Sequence, residues 1–150
     1  PVMSTSEWST YRQGNGAIPV GLERDVSLVK SAEIIVFVYP TWWGGLPAQL
    51  KGWIERVMLP GTAFVFNEKN KVRPGLRNIR RIHIASTFGS PWLYVRFVND
   101  NGRRILARAF RMNTSLRTKV SASSLYAMDT ATDASRKSFL LSLEKKMGTL

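Results

Sequence analysis

The sequence predicts an α/β fold, a parallel sheet with helices on both faces, and three observations carry that expectation. Residues 34–39, Ile-Ile-Val-Phe-Val-Tyr, form an unbroken apolar run rich in β-branched and aromatic residues. That is the pattern of a strand covered on both faces, since an antiparallel strand facing water would alternate. Two further strand-like runs, 78–85 and 119–128, are separated from it and from each other by stretches of helical periodicity. Helix and strand then alternate through four helices and three strands, the grammar of crossover connections within one sheet. At 150 residues and 44% hydrophobic, residues 1–150 are read as a single domain with a core of its own.

Residues 1–19 are polar and carry turn residues at Gly14, Asn15, Gly16 and Pro19, so a loop with one helical turn is expected there. From Val20 to Ala32 the spacing of Leu22, Val26 and Val29 predicts a short amphipathic helix, with Glu23, Arg24 and Lys30 on its wet side. It feeds the strand at Ile34, expected to be central or nearly so. Pro40 cannot continue a ladder, and Pro47 has the φ suited to a first helical turn, so Thr41 to Leu46 is the connecting loop. Leu50, Trp53, Ile54 and Val57 then make a helical stripe that Pro60 and Gly61 stop.

Thr62 to Gly75 reads as an aromatic pair, Phe64 and Phe66, running into a charged, solvated loop. Asn78 to Ala85 alternates Ile79, Ile82 and Ile84 with Arg80, Arg81 and His83, which predicts a less completely buried strand than the first. Residues 102–112 follow the plausible caps Asn99 and Asp100 and place Ile105, Leu106, Ala109 and Phe110 on one helical stripe, ringed by arginines. After the third strand, Thr130 with Asp133 resembles a capping box, and Phe139, Leu140, Leu143 and Met147 form the stripe of the last helix.

The loop at 41–46 is where an open parallel sheet binds ligands, because strand ends and helix starts leave backbone N–H groups unpaired there. Trp42 and Trp43 offer flat apolar surface, and Gly44 and Gly45 let the backbone lie close to what that surface covers. A planar aromatic cofactor fits such a loop, and so does a structural role in which both tryptophans are core and both glycines serve the turn.

The string from Pro40 to Phe64, PTWWGGLPAQLKGWIERVMLPGTAF, resembles the signature of the flavodoxin-like NAD(P)H:quinone oxidoreductase family. A weaker likeness continues through Ser86 to Tyr94 and the C-terminal helix. The resemblance implies a flavodoxin-like sheet that is N-terminally incomplete, because the family's first strand, its phosphate-binding loop and its second strand precede this region. Three strands are therefore expected, with the first lacking a neighbour on one side. It also implies a bound flavin, FAD or FMN, that takes hydride from NAD(P)H as co-substrate and passes it to a quinone-like acceptor. By the same resemblance Pro40, Thr41, Trp42, Trp43 and Gly44 line one edge of the ring, and Ser86, Thr87, Phe88 and Gly89 the other. Tyr94 falls on a tyrosine that some members use to stabilise charge on the reduced flavin. Those members pair it with a histidine six residues on, where this chain has Asp100, an anion. The family's habit of assembly implies a homodimer.

Composition narrows the classes. There is no cysteine, hence no disulfide framework, thiol chemistry or thiolate metal site, and no metal ligand set is expected. No apolar run reaches membrane-spanning length and the first residues lack the pattern of a signal peptide, so a cytoplasmic enzyme is expected. The net charge of +12 would attract nucleic acid, acidic membrane or small anions without choosing among them. From Lys69 to Lys119 there are thirteen Lys or Arg against one acid, with aromatics interleaved, which superficially suits nucleic acid. No nucleic-acid motif accompanies them, and no specific nucleic-acid partner is expected. A flavin-free relative that keeps only a structural or dimerisation role is the other alternative. His83, the single histidine, lies inside a strand far in sequence from either loop and is read as structural.

Overall fold

A computed structural model describes residues 4–6, 18 and 20–150. Helix α1 (Glu23–Ser31) leads into β1 (Ile34–Pro40) and α2 (Ala48–Val57), then a hairpin of β2 (Phe64–Phe66) and β3 (Val72–Pro74). Strand β4 (Arg81–Thr87) follows, then α3 (Trp92–Phe97) and α4 (Asn101–Arg104), which runs on as a π-helical turn over Ile105–Phe110. Strand β5 (Lys119–Leu125) and α5 (Asp133–Met147) close the order. The reading of residues 1–19 as a loop with one helical turn lies outside the described residues, save for Thr5 and Ser6, which are helical.

The three long strands form one parallel sheet in the order β1-β4-β5, with Ile34 opposite Arg81 and Arg81 opposite Lys119. The centre of this sheet is therefore β4 and not β1, which corrects the expectation for the apolar run at Ile34. Among the described residues no strand pairs with the outer edge of β1. Burial follows position in the sheet rather than side-chain polarity. On β4, Ile82, His83 and Ile84 are fully buried although the strand carries polar residues. On β1 one face buries Phe37 and Tyr39 while the other leaves Ile34, Val36 and Val38 exposed, Val38 at 74%. The polar groups of β4 are accommodated by cross-strand partners, His83 Nδ1 with Ser121 Oγ at 2.8 Å and Ser86 Oγ with Ser124 Oγ at 3.1 Å.

One face of the sheet carries the main core. Val26 and Val29 of α1, Val57 of α2, and Leu106 and Phe110 of the π-helical stretch pack on Phe37, Tyr39, Ile82 and Ile84. Phe37 and Phe110 meet edge to face at 5.1 Å, a pairing worth about 0.5–1.5 kcal/mol beyond the area it buries. Trp53 Nε1 donates to Asp25 Oδ1 at 2.9 Å and fixes α2 against α1. The other face is met by α5, whose Lys146 acts on His83 and whose following Thr149 carbonyl accepts from Arg81.

Three local expectations change. Residues 64–74 are an antiparallel hairpin with Phe64 opposite Pro74, not an open loop, because Asn67 gathers the turn: its Oδ1 accepts from the amides of Lys69 and Lys71. The cap of α5 is Thr132, whose hydroxyl accepts from the Ser135 amide, rather than Thr130. On α5 the half-buried ridge is Arg136, Phe139, Leu143 and Met147, and Leu140, one residue round the helix, is 62% exposed. Among the described residues no helix is long and apolar enough to cross a membrane.

Candidate functional site

The strands point their carboxyl ends the same way, so the loops after β1, β4 and β5 meet at one end of the sheet. Backbone hydrogen bonds lock them together. The Thr41 amide donates to the Thr87 carbonyl at 2.8 Å, the Phe88 amide to Leu125 at 2.8 Å and the Met128 amide to Phe88 at 2.9 Å. The ladder thus continues one residue beyond β1 and β4, and the loop after β5 is tied back to Phe88, so the loops inherit the rigidity of the sheet.

Residues 42–45 form a tight turn in which the Trp42 amide donates to the Gly45 carbonyl at 3.2 Å and the Gly45 amide returns to Trp42 at 2.8 Å. Both central residues have positive φ, Trp43 at 47° and Gly44 at 67°, the signature of a type I′ turn. Glycine adopts that backbone freely, whereas a bulky tryptophan does so at a cost. The side chain so placed is fully exposed, and its neighbour Trp42 is 64% exposed. Neither tryptophan is core, so the structural reading of the pair does not hold. The turn consumes the amides of Trp42 and Gly45, leaving those of Trp43 and Gly44 outside its own hydrogen bonds.

A cleft of about 450 Å³ opens between this turn and the loop after β4. Of the residues singled out in the sequence, Thr41, Trp43, Gly44, Phe88, Gly89 and Tyr94 line it. Pro40, Trp42, Ser86 and Thr87 stand behind or beside it: Ser86 is buried on Ser124, and Thr87 holds the Thr41 amide. Phe88 is buried and stacks on Tyr126 at 5.0 Å with the rings 15° apart, so it forms wall rather than open surface. Tyr94 is half-exposed at the rim. In the wall Thr41 Oγ1 is buried and has no hydrogen-bond partner among the described residues. An unpaired buried hydroxyl costs about 1–3 kcal/mol, which sets Thr41 apart from the other residues of the wall.

Val98, Asp100 and Asn101 complete the lining on the side of α4. Asp100 is buried, sits at φ 41°, caps α4 through the Arg103 amide and pairs with Arg103 Nε at 2.6 Å. It therefore serves the backbone and a guanidinium, and contributes no positive charge to the cleft. Beneath it the buried Tyr39 hydroxyl is unpartnered, and burial first, then the Asp100 carboxylate, push its pKa upward against the opposing pull of Arg103. A Cβ on Gly102 would stand 3.0 Å from the carbonyl carbon of Gly45, so α4 touches the turn backbone to backbone. Asp100 was legible as a cap, but nothing in the local sequence reports the closeness of Gly102 to Gly45, which comes from pairing two distant segments.

Similarity to known proteins agrees with this architecture. A family model described as the flavodoxin-like fold matches residues 1–134. An uncharacterized NAD(P)H oxidoreductase of Haemophilus influenzae is 33% identical over 90 residues, 60% of this chain and 43% of that protein. An FMN-dependent NADH:quinone oxidoreductase of Albidiferax ferrireducens is 36% identical over 70 residues, 47% of this chain and 34% of the relative. The matched region thus spans less than half the length of either relative. Among solved structures, Smu.1420 from Streptococcus mutans superposes over 100% of this chain and 77% of its own, with a TM-score of 0.82 at 24% identity. With the family model matching residues 1–134 and a parallel sheet at the centre of the fold, the chain belongs to the family of the flavodoxin-like fold.

Proposed function

We propose that this chain is part of a flavin-dependent NAD(P)H oxidoreductase acting on quinone-like acceptors, with the flavin ring, of FMN or FAD, in the cleft between residues 40–46 and 86–91. The observation that carries the reading is the buried, unpartnered Thr41 hydroxyl in the wall of a cleft of about 450 Å³, within the roughly 300–1,000 Å³ of small-molecule sites. The relatives named NAD(P)H oxidoreductase and FMN-dependent NADH:quinone oxidoreductase support the same cofactor and co-substrate.

When bound, a flavin supplies a ring that accepts hydride from a nicotinamide and releases it to an acceptor. The chain's own residues do the rest. The Trp43 and Gly44 amides lie outside the turn's own hydrogen bonds and are available to the polar edge of such a ring, the Thr41 hydroxyl can reach it by rotating out of the wall, and positive φ at Gly44 lets the backbone approach it. The Tyr94 phenol, at the rim, can donate a hydrogen bond to charge that develops on a ligand. Trp42, Trp43, Trp92, Leu93, Tyr94 and Phe97 are all more than half exposed, an apolar fringe that suits coverage by a second copy of the chain. A homodimer closing over the cleft would exclude water during hydride transfer. The absence of cysteine suits a cytoplasmic setting.

The test is an absorbance spectrum of purified protein with added FMN or FAD, paired with Thr41→Val. In the free protein the hydroxyl has no partner, so the variant should unfold at the same or a higher temperature. If the hydroxyl serves the flavin, affinity should fall about tenfold, the worth of one net hydrogen bond. No flavin uptake by the parent protein, or unchanged affinity in Thr41→Val, would sink the placement.

A further inference from the structure

At the opposite end of the sheet, where β4 and β5 begin, two adjoining clefts of about 770 and 680 Å³ share Ala107, Arg111, Leu116 and Arg117. The first adds Arg73, Arg77 and Arg108, and the second adds Arg81, Lys119 and Lys146. Among the described residues no aspartate or glutamate lines either cleft. The ion pairs formed among the described residues, Lys51–Glu55, Arg80–Glu33, Arg103–Asp100 and Arg136–Asp133, involve none of these cations. Surfaces usually intersperse the two signs, and a run of cations with no acidic side chain among them raises a potential that repels the chain's own groups.

The framework under the cations is fixed rather than loose. The Thr118 hydroxyl donates to Ile79 O and the Thr114 hydroxyl to Arg111 O, both at 2.7 Å, and both threonines are buried. Arg111 Nη2 donates to Leu116 O at 3.1 Å, which holds the loop before β5 against the helix. The cations are thus presented by anchored backbone along a path, not gathered at a point. Among the described residues no aromatic side chain lines either cleft, so none of them offers a ring to stack on a base.

We propose that this double cleft binds a linear phosphate polyanion, recognised through its successive phosphates alone, as in an inorganic polyphosphate chain. It lies apart from the cleft at the carboxyl ends of the strands and does not depend on the flavin reading. The contact is electrostatic, so affinity should fall with salt at a slope set by the number of neutralised phosphates, about 0.7 for each on a flexible chain.

The test is anisotropy of fluorescently labelled inorganic polyphosphate across a salt series, with a single-stranded oligonucleotide of matched charge alongside. R73Q/R108Q removes two cleft cations that make no side-chain hydrogen bond or ion pair among the described residues, and R24Q/K30Q removes two cations outside both clefts. We expect R73Q/R108Q to weaken polyphosphate binding about tenfold and to lower the salt slope by roughly 1 to 1.5, with less than a twofold effect from R24Q/K30Q. Thermal melting confirms that both remain folded. Equal weakening by the two variants would show diffuse attraction to a +12 protein and overturn the site. So would absence of binding, or tighter binding of one oligonucleotide sequence than of polyphosphate.

Discussion

Trp43 is held at φ 47° with its ring in solvent, a conformation that costs a non-glycine residue roughly 1–2 kcal/mol. Strain of this kind persists at ligand clamps because the surroundings over-determine it. Trp43→Gly should therefore raise the stability of the free protein, by up to about 1 kcal/mol once the extra entropy of glycine in the unfolded chain is subtracted. The same change should weaken flavin binding. A lower unfolding midpoint in urea for the variant would contradict this account. His83 makes a different kind of argument. It is fully buried with Nε2 unpartnered, and burial first, then the charge of Lys146, lower its pKa. The unfolded imidazole binds a proton near pH 6.5 while the folded one resists until lower pH. Stability contributed by keeping it neutral is thus complete above about pH 6.5 and is lost as pH falls through the folded value. Urea midpoints between pH 7.5 and 5.5 should decline in the parent protein and decline less in His83→Leu, while parallel slopes would remove His83 as the cause.

The contact between α4 and the aromatic turn separates two glycines that look alike in sequence. At Gly102 an added Cβ would meet the backbone of Gly45 and Leu46 at 3.0–3.3 Å, and neither segment can yield without moving the cleft. At Gly89 the obstruction is the Asp129 carboxylate at 2.8 Å, the end of an exposed side chain that can rotate away. Gly102→Ala should lower stability by about 1–3 kcal/mol despite the better helix propensity of alanine, whereas Gly89→Ala should cost little. Calorimetric melting of both variants decides, and equal midpoints would refute the distinction. Much of this region was legible beforehand. The run at Ile34, the prolines at 40 and 47 and the stripe of α2 mark strand, loop and helix through local rules alone. What escaped depends on neighbours. The apolar residues of β1 predict burial on both faces, yet Val36 and Val38 are exposed because nothing among the described residues covers that side. The polar residues of β4 predict partial exposure, yet with partner strands on both edges His83 and Ser86 are buried, and Arg81, at the strand's start, stays half-exposed. Trp43 and Gly44 were legible as candidates, but the turn that orients them needed the positive φ pair, which no spacing reports.

Taken as one body, the molecule has a well-covered core face and a second face met by α5 alone among the described helices, with Leu140 and Leu141 of α5 and Val36 and Val38 of β1 in solvent. Together with the aromatic fringe of the cleft this is more apolar surface than isolated exposed residues provide. We expect a dimer or larger species at micromolar concentration, with the segment at 41–46 losing solvent exposure on association. Sedimentation equilibrium, with hydrogen exchange of the same segment, would test it, and a soluble monomer throughout would show that the chain satisfies these surfaces by itself. The sheet order also has a consequence in time. Every rung of the parallel sheet joins distant segments, Ile34 with Arg81 and Arg81 with Lys119, while the β2–β3 hairpin is local. On a ribosome adding about 5–20 residues each second, β1 emerges roughly 2–10 s before its partner strand is available. For that interval the edge of β1 that takes β4 is unfilled, so nascent-chain holdases should protect residues 34–40 until β4 arrives, and slowed translation between the two strands should lower the soluble yield.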